Sequence, residues 1–512
     1  MLRPGRAGRV RDTLPDLPFV CTAVICEIAV AVSSWLMLNP EQKTHGKFAA
    51  VRNLYLNNCA GFSPVARLLF FTLLLTMALA WPAAAQDHTP VLVLISVDGM
   101  KPEYVTHADE YGAKVPNLRS MMKQGTYADG VQGVIPTVTY PSHATLVTGV
   151  WPAKHGIYAN TLFDPLDKGK QAWYWYAEDL KVPTLYTAAG DAGRKTAAIQ
   201  WPVTVGAKIT WNIPEFWRVG DENDLKLVRA VSTPGLLDEA EKEIGKFRGG
   251  IDLAIEADEQ RVNYAEWILE RKRPSLLLLH IAALDHIEHE TGPFSPESLA
   301  VMEREDAAIG RLRAKAEKLF PGRVIFCVTS DHGFVKVEKQ LSLAAAFVQA
   351  GLITVDAKDP RKATDWKAFP WATGGSAAIV LKDPSDTTVA EQVRALLKKL
   401  AADPANGIDR VLEGDDLHAR GGFPTASFLV GLKPGWRNSY SLAGPIVEST
   451  KLSGTHGALP DLPELRSSFF LVGPHVPAGK DLGLIDMRDI APTLAKLAGL
   501  KLASADGKEL LR

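Results

Sequence analysis

The chain has 512 residues, 46% hydrophobic and 22% charged, so it is long enough for a large core and too apolar for wholesale disorder. Lys and Arg total 57 against 58 Asp and Glu, which excludes an overall cationic field of the kind that coats nucleic acid. Its 4 cysteines are too few and too scattered for a disulfide scaffold or a Cys-rich zinc module.

Residues 66–85 have the layout of a secretory signal peptide. One arginine precedes a short apolar run, and small residues form an A-x-A cleavage site before Gln86. The alternative, a membrane helix, needs a longer apolar run. We therefore expect a periplasmic or secreted protein that contacts the membrane only through this segment, if it stays uncleaved. Residues 1–65 are an uncertain extension: either a genuine membrane segment or, as we favour, the product of a start site assigned too far upstream.

From Gln86 onward, short apolar runs alternate with amphipathic stretches. The predicted strands are Val91–Val97, Lys195–Gln200, Pro274–Ala282, Arg323–Thr329, Ser376–Leu381, Ser427–Gly431 and Ser467–Val472. The predicted helices are Leu253–Arg271, Pro296–Phe320, Val389–Ala402 and Asp486–Gly499. Several of the strands are apolar at consecutive positions, which is typical of strands buried on both faces. The alternation predicts one α/β domain over 86–512, with a largely parallel central sheet, helices on both faces and a smaller inserted lobe at 334–453.

Polar side chains cluster just after these strands, where sites gather in parallel sheets. They are Asp98, Thr139 in a proline-flanked segment, Asp285 and His289, Asp331 and His332, and His456 in a glycine-rich loop. Each has an ordinary interpretation when taken alone: Asp-Gly is a turn, an alcohol at a helix start is an N-cap, and a single histidine is usually solvated. Together, three Asp and three His without a thiolate would supply two metal sites with open positions, as in catalytic rather than structural sites.

Ordered motifs give a more specific indication. They are DGMKP from Asp98, TYPSHATLVTG from Thr139, WPAKHGIYAN ending at Asn160, DHIEHETGP from Asp285, SDHG, GTHG and DMRDIAPTLAKLAGL. In this order they resemble the nucleotide pyrophosphatase/phosphodiesterase family of the alkaline phosphatase superfamily, over essentially all of residues 90–510. The resemblance implies an alkaline-phosphatase-like core, two zinc ions, and hydrolysis of phosphodiester or pyrophosphate bonds through a covalent phospho-threonine.

The resemblance also implies roles for individual residues. The implied ligands are Asp285, His289 and His456 for one zinc, and Asp98, Asp331 and His332 for the second. Thr139 would be the nucleophile bound to the second zinc, and Asn160 falls where the family places an amide that binds a phosphoryl oxygen. This chain departs from the usual T-F-P-N-H of the family at Tyr140 and Ser142.

The stretch after the predicted strand Lys195–Gln200 indicates which class of phosphate ester is cleaved. Superfamily members that favour phosphate monoesters carry added cations there, whereas residues 199–203 of this chain are uncharged, which favours a diester. The sulfatase branch is disfavoured because the chain shows no C/S-x-P-x-R motif, and Cys327 lies in an apolar strand. Two alternatives stay open: a phosphomonoesterase or phosphonate hydrolase on the same two-metal site, and an inactive exported binding module that retains its metals.

The expected partner is a small nucleotide or phosphodiester substrate, with no stable nucleic-acid complex and no obligatory protein partner. By the resemblance, Tyr140 would stack on a nucleobase, a contact that contributes about 1–3 kcal/mol. Trp217, in the segment IPEFWR, is a candidate for the opposite wall, and a core role is the alternative for both rings.

Overall fold

The computed structural model describes residues 88–511 apart from 171, 219, 221–222 and 250–251. The predicted signal peptide at 66–85 and the extension at 1–65 lie outside the described residues. Within the described ranges, no helix has both the length and the apolar character that crossing a bilayer requires.

The strands confirm the predicted alternation. In chain order they are β1 (Val91–Val97), β2 (Thr126–Tyr127), β3 (Gly130–Gln132), β4 (Thr196–Ile199), β5 (Trp211–Ile213), β6 (Leu276–Ile281), β7 (Val324–Thr329), β8 (Val335–Leu341), β9 (Ile353–Val355), β10 (Ala363–Trp366), β11 (Ala368–Ala372), β12 (Ser376–Leu381), β13 (Ile408–Glu413), β14 (Phe428–Leu432), β15 (Gly435–Asn438), β16 (Val447–Ser449), β17 (Gly454–Thr455), β18 (Phe469–Val472), β19 (Lys480–Asp481) and β20 (Leu484–Asp486).

The helices lie between them. In chain order they are α1 (Glu103–Thr106), α2 (Ala108–Tyr111), α3 (Pro116–Gln124), α4 (Thr139–Thr148), α5 (Pro152–His155), α6 (Leu185–Asp191), α7 (Asn223–Val231), α8 (Leu236–Ile244), α9 (Ile255–Arg271), α10 (Ala283–Thr291), α11 (Pro296–Leu319), α12 (Leu343–Gln349), α13 (Thr387–Ala402), α14 (Gly414–His418) and α15 (Ile490–Leu497). The four predicted helices are present. The last is shorter than expected, because its first turn, Met487–Asp489, is a 3-10 turn capped by Asp486.

The central sheet has eight strands in the order β19-β2-β18-β7-β1-β6-β4-β5. Five consecutive strands are mutually parallel, namely β7, β1, β6, β4 and β5. The next strand, β18, pairs with β7 in the antiparallel orientation. Alternate residues of β1 enter two different apolar clusters: Val93 and Ile95 pack with α3, α9 and α11, while Leu92 and Leu94 pack with α4, α6 and α15. The largely parallel sheet with helices on both faces is therefore confirmed, and burial on both faces explains the uninterrupted apolar runs.

A second sheet lies apart from the first. It is antiparallel, with the order β11-β12-β14-β13, and it packs against apolar residues of α13. Two predicted strands, those at 376–381 and 427–431, belong to this sheet rather than to the central one. After it, β17 returns to pair with β8, so that Thr455 lies opposite Val335.

Candidate active site

The predicted metal ligands meet at one edge of the central sheet. Asp98 directly follows β1, Asp331 and His332 follow β7, Asp285 and His289 lie on the helix that follows β6, and His456 follows β17. The carboxyl ends of parallel strands point to the same edge, so residues far apart in sequence come together there.

Asp98, Asp331 and His332 form the first ligand group. His332 Nε2 lies 3.3 Å from Asp98 Oδ1 and 3.2 Å from Asp331 Oδ2. The backbone N–H groups of Gly99 and His332 donate to Asp331 Oδ1 over 3.1 and 3.0 Å, which leaves Oδ2 free to face the other two side chains. Asp98 Oδ1, Asp331 Oδ2 and His332 Nε2 are buried without a hydrogen-bond partner in the described part of the chain. Buried lone pairs that converge in this way fit a cation.

Asp285, His289 and His456 lie next to this group. Asp285 Oδ1 is 3.6 Å from His456 Nε2, and Asp285 Oδ2 is 3.6 Å from His289 Nε2. The Nδ1 atoms of the two histidines face backbone carbonyls, 3.0 Å from Gly454 O and 3.2 Å from Thr137 O. Because these carbonyls accept from Nδ1–H, each Nε2 is left as a lone-pair donor that points toward Asp285.

The two ligand groups are in direct contact through one histidine of each. The rings of His332 and His456 stack with centroids 3.8 Å apart and planes inclined by 10°. As a result, the ligand atoms of Asp285, His332 and His456 lie within 4.8 Å of one another, as do those of Asp98, Asp331 and His332. His332 thus borders both groups, whereas the resemblance assigns it to one zinc only.

Burial sets the protonation tendencies of these side chains. Burial, and after it the charges of Asp331 and Asp285, holds the pKa of Asp98 well above its usual range. Burial also raises the pKa of Asp331 to about 7, lowers the pKa of His332, and lowers that of His456 to about 4. The imidazoles of His332 and His456 are therefore neutral, and the carboxylates of Asp98 and Asp331 need nearby positive charge to ionise, which a divalent ion would supply.

Thr139 is the first residue of α4 and does not act as its cap. The preceding residue, Val138, occupies the cap position, and no side chain caps the helix. The start of α4 lies against both ligand groups: the carbonyl of Thr137 contacts His456, and His143 Nδ1 lies 2.8 Å from the carbonyl of Thr139 and 3.7 Å from Asp331 Oδ2. The ordinary N-cap interpretation therefore does not apply to Thr139.

Asn160 lies beside the same helix start. Its Oδ1 accepts a hydrogen bond of 2.9 Å from the backbone N–H of Tyr140. Its amide nitrogen is left as a donor, because none of the described groups accepts from it. The structure thus brings Asn160 to the residue next to Thr139.

The two aromatic residues expected to bind a base have different placements. Tyr140 is only 1% exposed, and its ring packs 5.2 Å from that of Trp173. This burial leaves no ring face open to a base and argues against the stacking role expected for Tyr140. Trp217 is half-buried and its ring lies 4.7 Å from that of Trp173, so Trp173 contacts both Tyr140 and Trp217.

Two further residues, His280 and Glu215, were missed. His280 Nε2 lies 3.1 Å from Asp98 Oδ2, and its Nδ1 lies 2.9 Å from Glu215 Oε2. Burial opposes protonation of His280, but the carboxylates of Asp98 and Glu215 hold its pKa above the ordinary value. A signal was available for His280, since a histidine near the end of an apolar, fully buried strand requires partners. None was available for Glu215.

Asp258 orients the helix that carries Asp285. One of its carboxylate oxygens accepts from the backbone N–H groups of Ala282 and Ala283 over 3.0 and 2.7 Å, at the start of α10. Its other oxygen accepts from Arg261 over 2.6 Å, and both side chains are buried. No local pattern pointed to Asp258, because the contact joins residues of two different helices.

The chain is similar to known proteins of one family. A family model described as type I phosphodiesterase/nucleotide pyrophosphatase matches residues 92–459. The human ectonucleotide pyrophosphatase/phosphodiesterase family member 1 is 25% identical over 258 residues, 48% of this chain and 24% of that protein. A Schizosaccharomyces pombe protein described as an uncharacterized pyrophosphatase/phosphodiesterase is 28% identical over 246 residues, 47% of this chain and 44% of that protein. The chain therefore matches less than half the length of these two curated relatives.

A solved structure shares the fold. It is that of murine ectonucleotide pyrophosphatase/phosphodiesterase 5, an inactive threonine-to-alanine variant in complex with AMP. The TM-score is 0.57 at 21% sequence identity, and the match covers 82% of this chain and 97% of the murine one.

Proposed function

Because the chain belongs to the type I phosphodiesterase/nucleotide pyrophosphatase family of the alkaline phosphatase superfamily, we propose that it hydrolyses phosphodiester or pyrophosphate bonds of nucleotides. The observation that carries the proposal is the convergence of unpartnered ligand atoms of Asp98, Asp331 and His332 beside the helix that begins at Thr139. A merely structural cluster would pair these atoms with one another or with backbone groups.

We propose zinc as the metal and two ions as the number. Nitrogen and oxygen ligands without thiolate, arranged in two open groups, suit catalytic zinc. The proposed ligands are Asp285, His289 and His456 for one ion, and Asp98, Asp331, His332 and Thr139 for the other. When bound, zinc at this position would favour the alkoxide form of a coordinated hydroxyl and offset negative charge on the phosphoryl group.

Thr139 is the proposed nucleophile. Its Oγ1 attacks phosphorus, so that a bond from Thr139 to phosphorus forms as the bond from phosphorus to the leaving oxygen breaks. Water then cleaves the phospho-threonine and restores the hydroxyl. The position of Thr139 at the first turn of α4 also favours the reaction, because the dipole of the helix is positive at this end.

Asn160 is the proposed donor to a non-bridging oxygen. Its Oδ1 is held by the N–H of Tyr140, so its Nδ2 is fixed relative to Thr139 and needs no rearrangement during the reaction. A donor positioned in this way stabilises the charge that develops on the phosphoryl oxygens.

A diester with an organic substituent is the proposed substrate class. The stretch after β4 has no charged side chain, so it offers no cation to a second phosphoryl charge. Its residues Gln200 and Trp201 are fully buried. The half-buried rings of Trp173 and Trp217 offer apolar surface instead. The AMP complex of the murine relative is consistent with a nucleoside 5′-phosphoryl group as the moiety bound.

The test compares a diester with a monoester. We expect purified protein to have a higher kcat/KM for bis-p-nitrophenyl phosphate than for p-nitrophenyl phosphate, and the same sample to contain two zinc ions per chain. A strong preference for the monoester would contradict the proposal and support a phosphomonoesterase or phosphonate hydrolase.

Export is a separate proposal that depends on the segment 66–85. We propose a periplasmic or secreted protein whose mature chain begins at Gln86. N-terminal sequencing of the protein from culture medium or periplasm tests this, and a mature chain that contains Cys59 would contradict it.

A further inference from the structure

A chain of four buried side chains lies behind the candidate site. It begins at Asp98, continues through His280 to Glu215, and ends at Tyr140. The hydroxyl of Tyr140 donates to Glu215 Oε1 over 2.8 Å, and His280 lies between Glu215 Oε2 and Asp98 Oδ2. All four residues are less than a tenth exposed, at 4% for Asp98, 1% for His280, 7% for Glu215 and 1% for Tyr140. The chain is therefore shielded from solvent along its whole length.

The first consequence concerns the orientation of Asp98. His280 holds Oδ2, while Oδ1 is buried, has no hydrogen-bond partner among the described groups, and lies 3.3 Å from His332 Nε2. The carboxylate is thus fixed with one oxygen turned toward the other ligands. Hydrogen bonds of this kind to a metal ligand orient it and strengthen metal binding.

The second consequence concerns the start of α4. Tyr140 is held twice, through its backbone N–H by Asn160 and through its hydroxyl by Glu215. Since Tyr140 is the residue after Thr139, these two contacts fix the first turn of the helix. The phenylalanine that is usual at this place in the family has no hydroxyl, so the contact with Glu215 depends on the departure seen in this chain.

We propose that His280 and Glu215 are positioning residues that hold Asp98 and the helix start bearing Thr139 in a fixed relation to each other. The inference rests on the metal site of the proposed function, but it concerns different residues and a different measurement. His280 and Glu215 act through their contacts with Asp98 and Tyr140 rather than on the substrate.

The decisive variant is His280→Gln, which shortens the link to Asp98 and keeps a polar group in its place. Zinc affinity is measured by competition with a chromophoric chelator, and folding by thermal unfolding. We expect one of two zinc ions to bind about 10- to 100-fold more weakly than in the unaltered protein. Unaltered zinc affinity in a folded His280→Gln variant would overturn the role of His280.

His155→Gln is the matched control. His155 is as buried as His280, but its ring contacts Thr145 and the N–H of Ile157 rather than a ligand. We expect this variant to lose stability without losing zinc affinity. Equal losses of zinc affinity in the two variants would assign the effect to general destabilisation and overturn the proposal.

Tyr140→Phe tests the other end of the chain. It removes only the hydroxyl and leaves the contact between His280 and Asp98 in place. We expect kcat to fall about tenfold with KM unchanged, because only the helix start that carries Thr139 is released. Glu215→Gln removes the negative charge between Tyr140 and His280, and we expect it to lower both kcat and zinc affinity. Wild-type kcat in Tyr140→Phe would overturn the link between the chain and Thr139.

The two proposals can fail separately. An unaltered protein that binds zinc but hydrolyses no phosphodiester would contradict the proposed function. The ratio of zinc affinities between it and the His280→Gln variant would still decide whether His280 positions Asp98.

Discussion

The backbone N–H of Tyr140 donates to Asn160 Oδ1 over 2.9 Å, so the residue that follows the proposed nucleophile fixes the side chain proposed to bind the phosphoryl group. Replacing Asn160 by Ala removes both this contact and the Nδ2 donor. We expect kcat/KM for a diester to fall about 100- to 1000-fold, the usual cost of losing one such donor. Steady-state kinetics at saturating zinc measure this loss.

Asn160→Asp separates the two functions of the amide. It keeps an oxygen that accepts from Tyr140 but has no donor for the phosphoryl oxygen and adds negative charge. We expect its kcat/KM to be as low as that of Asn160→Ala. Substantial recovery in the Asp variant would mean that Asn160 acts only by holding Tyr140.

Replacement of Thr139 tests the proposed covalent step. We expect Thr139→Ala to lose at least about a thousandfold in kcat while it keeps its fold. Thr148→Ala is the control, because Thr148 lies on the same helix and its hydroxyl donates, within the described residues, only to the carbonyl of Ala144. Turnover that is unchanged in Thr139→Ala would remove this residue from the mechanism.

Zinc affinity should fall as the pH is lowered, and the buried carboxylate of Asp331 should contribute to this fall. Burial raises the pKa of Asp331 to about 7, so below that pH a proton must leave Asp331 before it can bind a metal. Burial lowers the pKa of His456 to about 4, so His456 stays neutral over the same range. We expect about a tenfold loss of affinity per pH unit for each proton released below about pH 7.

Competition titrations between about pH 5.5 and pH 8, together with calorimetry in buffers of different ionisation enthalpy, measure the affinity and the number of protons released. An affinity that is constant across this range would contradict the raised pKa of Asp331.

Trp173 is expected to contribute to binding of the organic substituent rather than to the chemical step. Loss of a stacking aromatic costs about 1–3 kcal/mol, so Trp173→Ala should raise KM for a p-nitrophenyl ester of a nucleoside 5′-phosphate about tenfold or more. Methyl p-nitrophenyl phosphate, which has no base, is the comparison substrate. Equal effects on both substrates would indicate that Trp173 only supports the neighbouring fold.

Asp258 should matter more for stability than neighbouring surface carboxylates do. Asp258→Ala leaves Arg261 buried without its carboxylate partner and frees the start of α10, so we expect a loss of about 3–5 kcal/mol in the free energy of unfolding. Glu259→Ala on the same helix removes a partly exposed contact with Arg304, and we expect a loss below about 1 kcal/mol. Denaturant titrations of both variants measure the difference, and similar values would contradict the importance of the contact at α10.

The central sheet could be predicted from the sequence because its strands are buried on both faces. Val91–Val97 has seven apolar or small residues in succession, and it forms β1 over the same bounds. β12 falls within the lobe predicted at 334–453, but its apolar pattern alone does not tell it from a central strand, because only the pairing partners differ. Pairing depends on long-range contacts that no local pattern encodes.

The candidate ligands were predictable for a related reason, namely their place directly after strands. The residues that hold these ligands in place, Glu215 and Asp258 among them, could not be predicted. Glu215 reaches His280 across 65 positions, and Asp258 reaches α10 from another helix, so neither lies in a recognisable motif. For Tyr140 the sequence left a core role and a base-stacking role open, because the exposure of this ring depends on how Trp173 and Glu215 pack around it.

The antiparallel pairing of β17 with β8 has a consequence for how this fold can vary. The 334–453 segment leaves the sheet just after His332 and returns just before His456, with its two ends joined at Val335 and Thr455. Doubling the length of a closed loop costs only about 0.6 kcal/mol. Insertions and deletions that spare Gly375 and Ser376, which donate to the carbonyls of His456 and Gly457, should therefore leave the ligand geometry intact. The rest of this segment is where substrate range can diverge while the reaction is preserved.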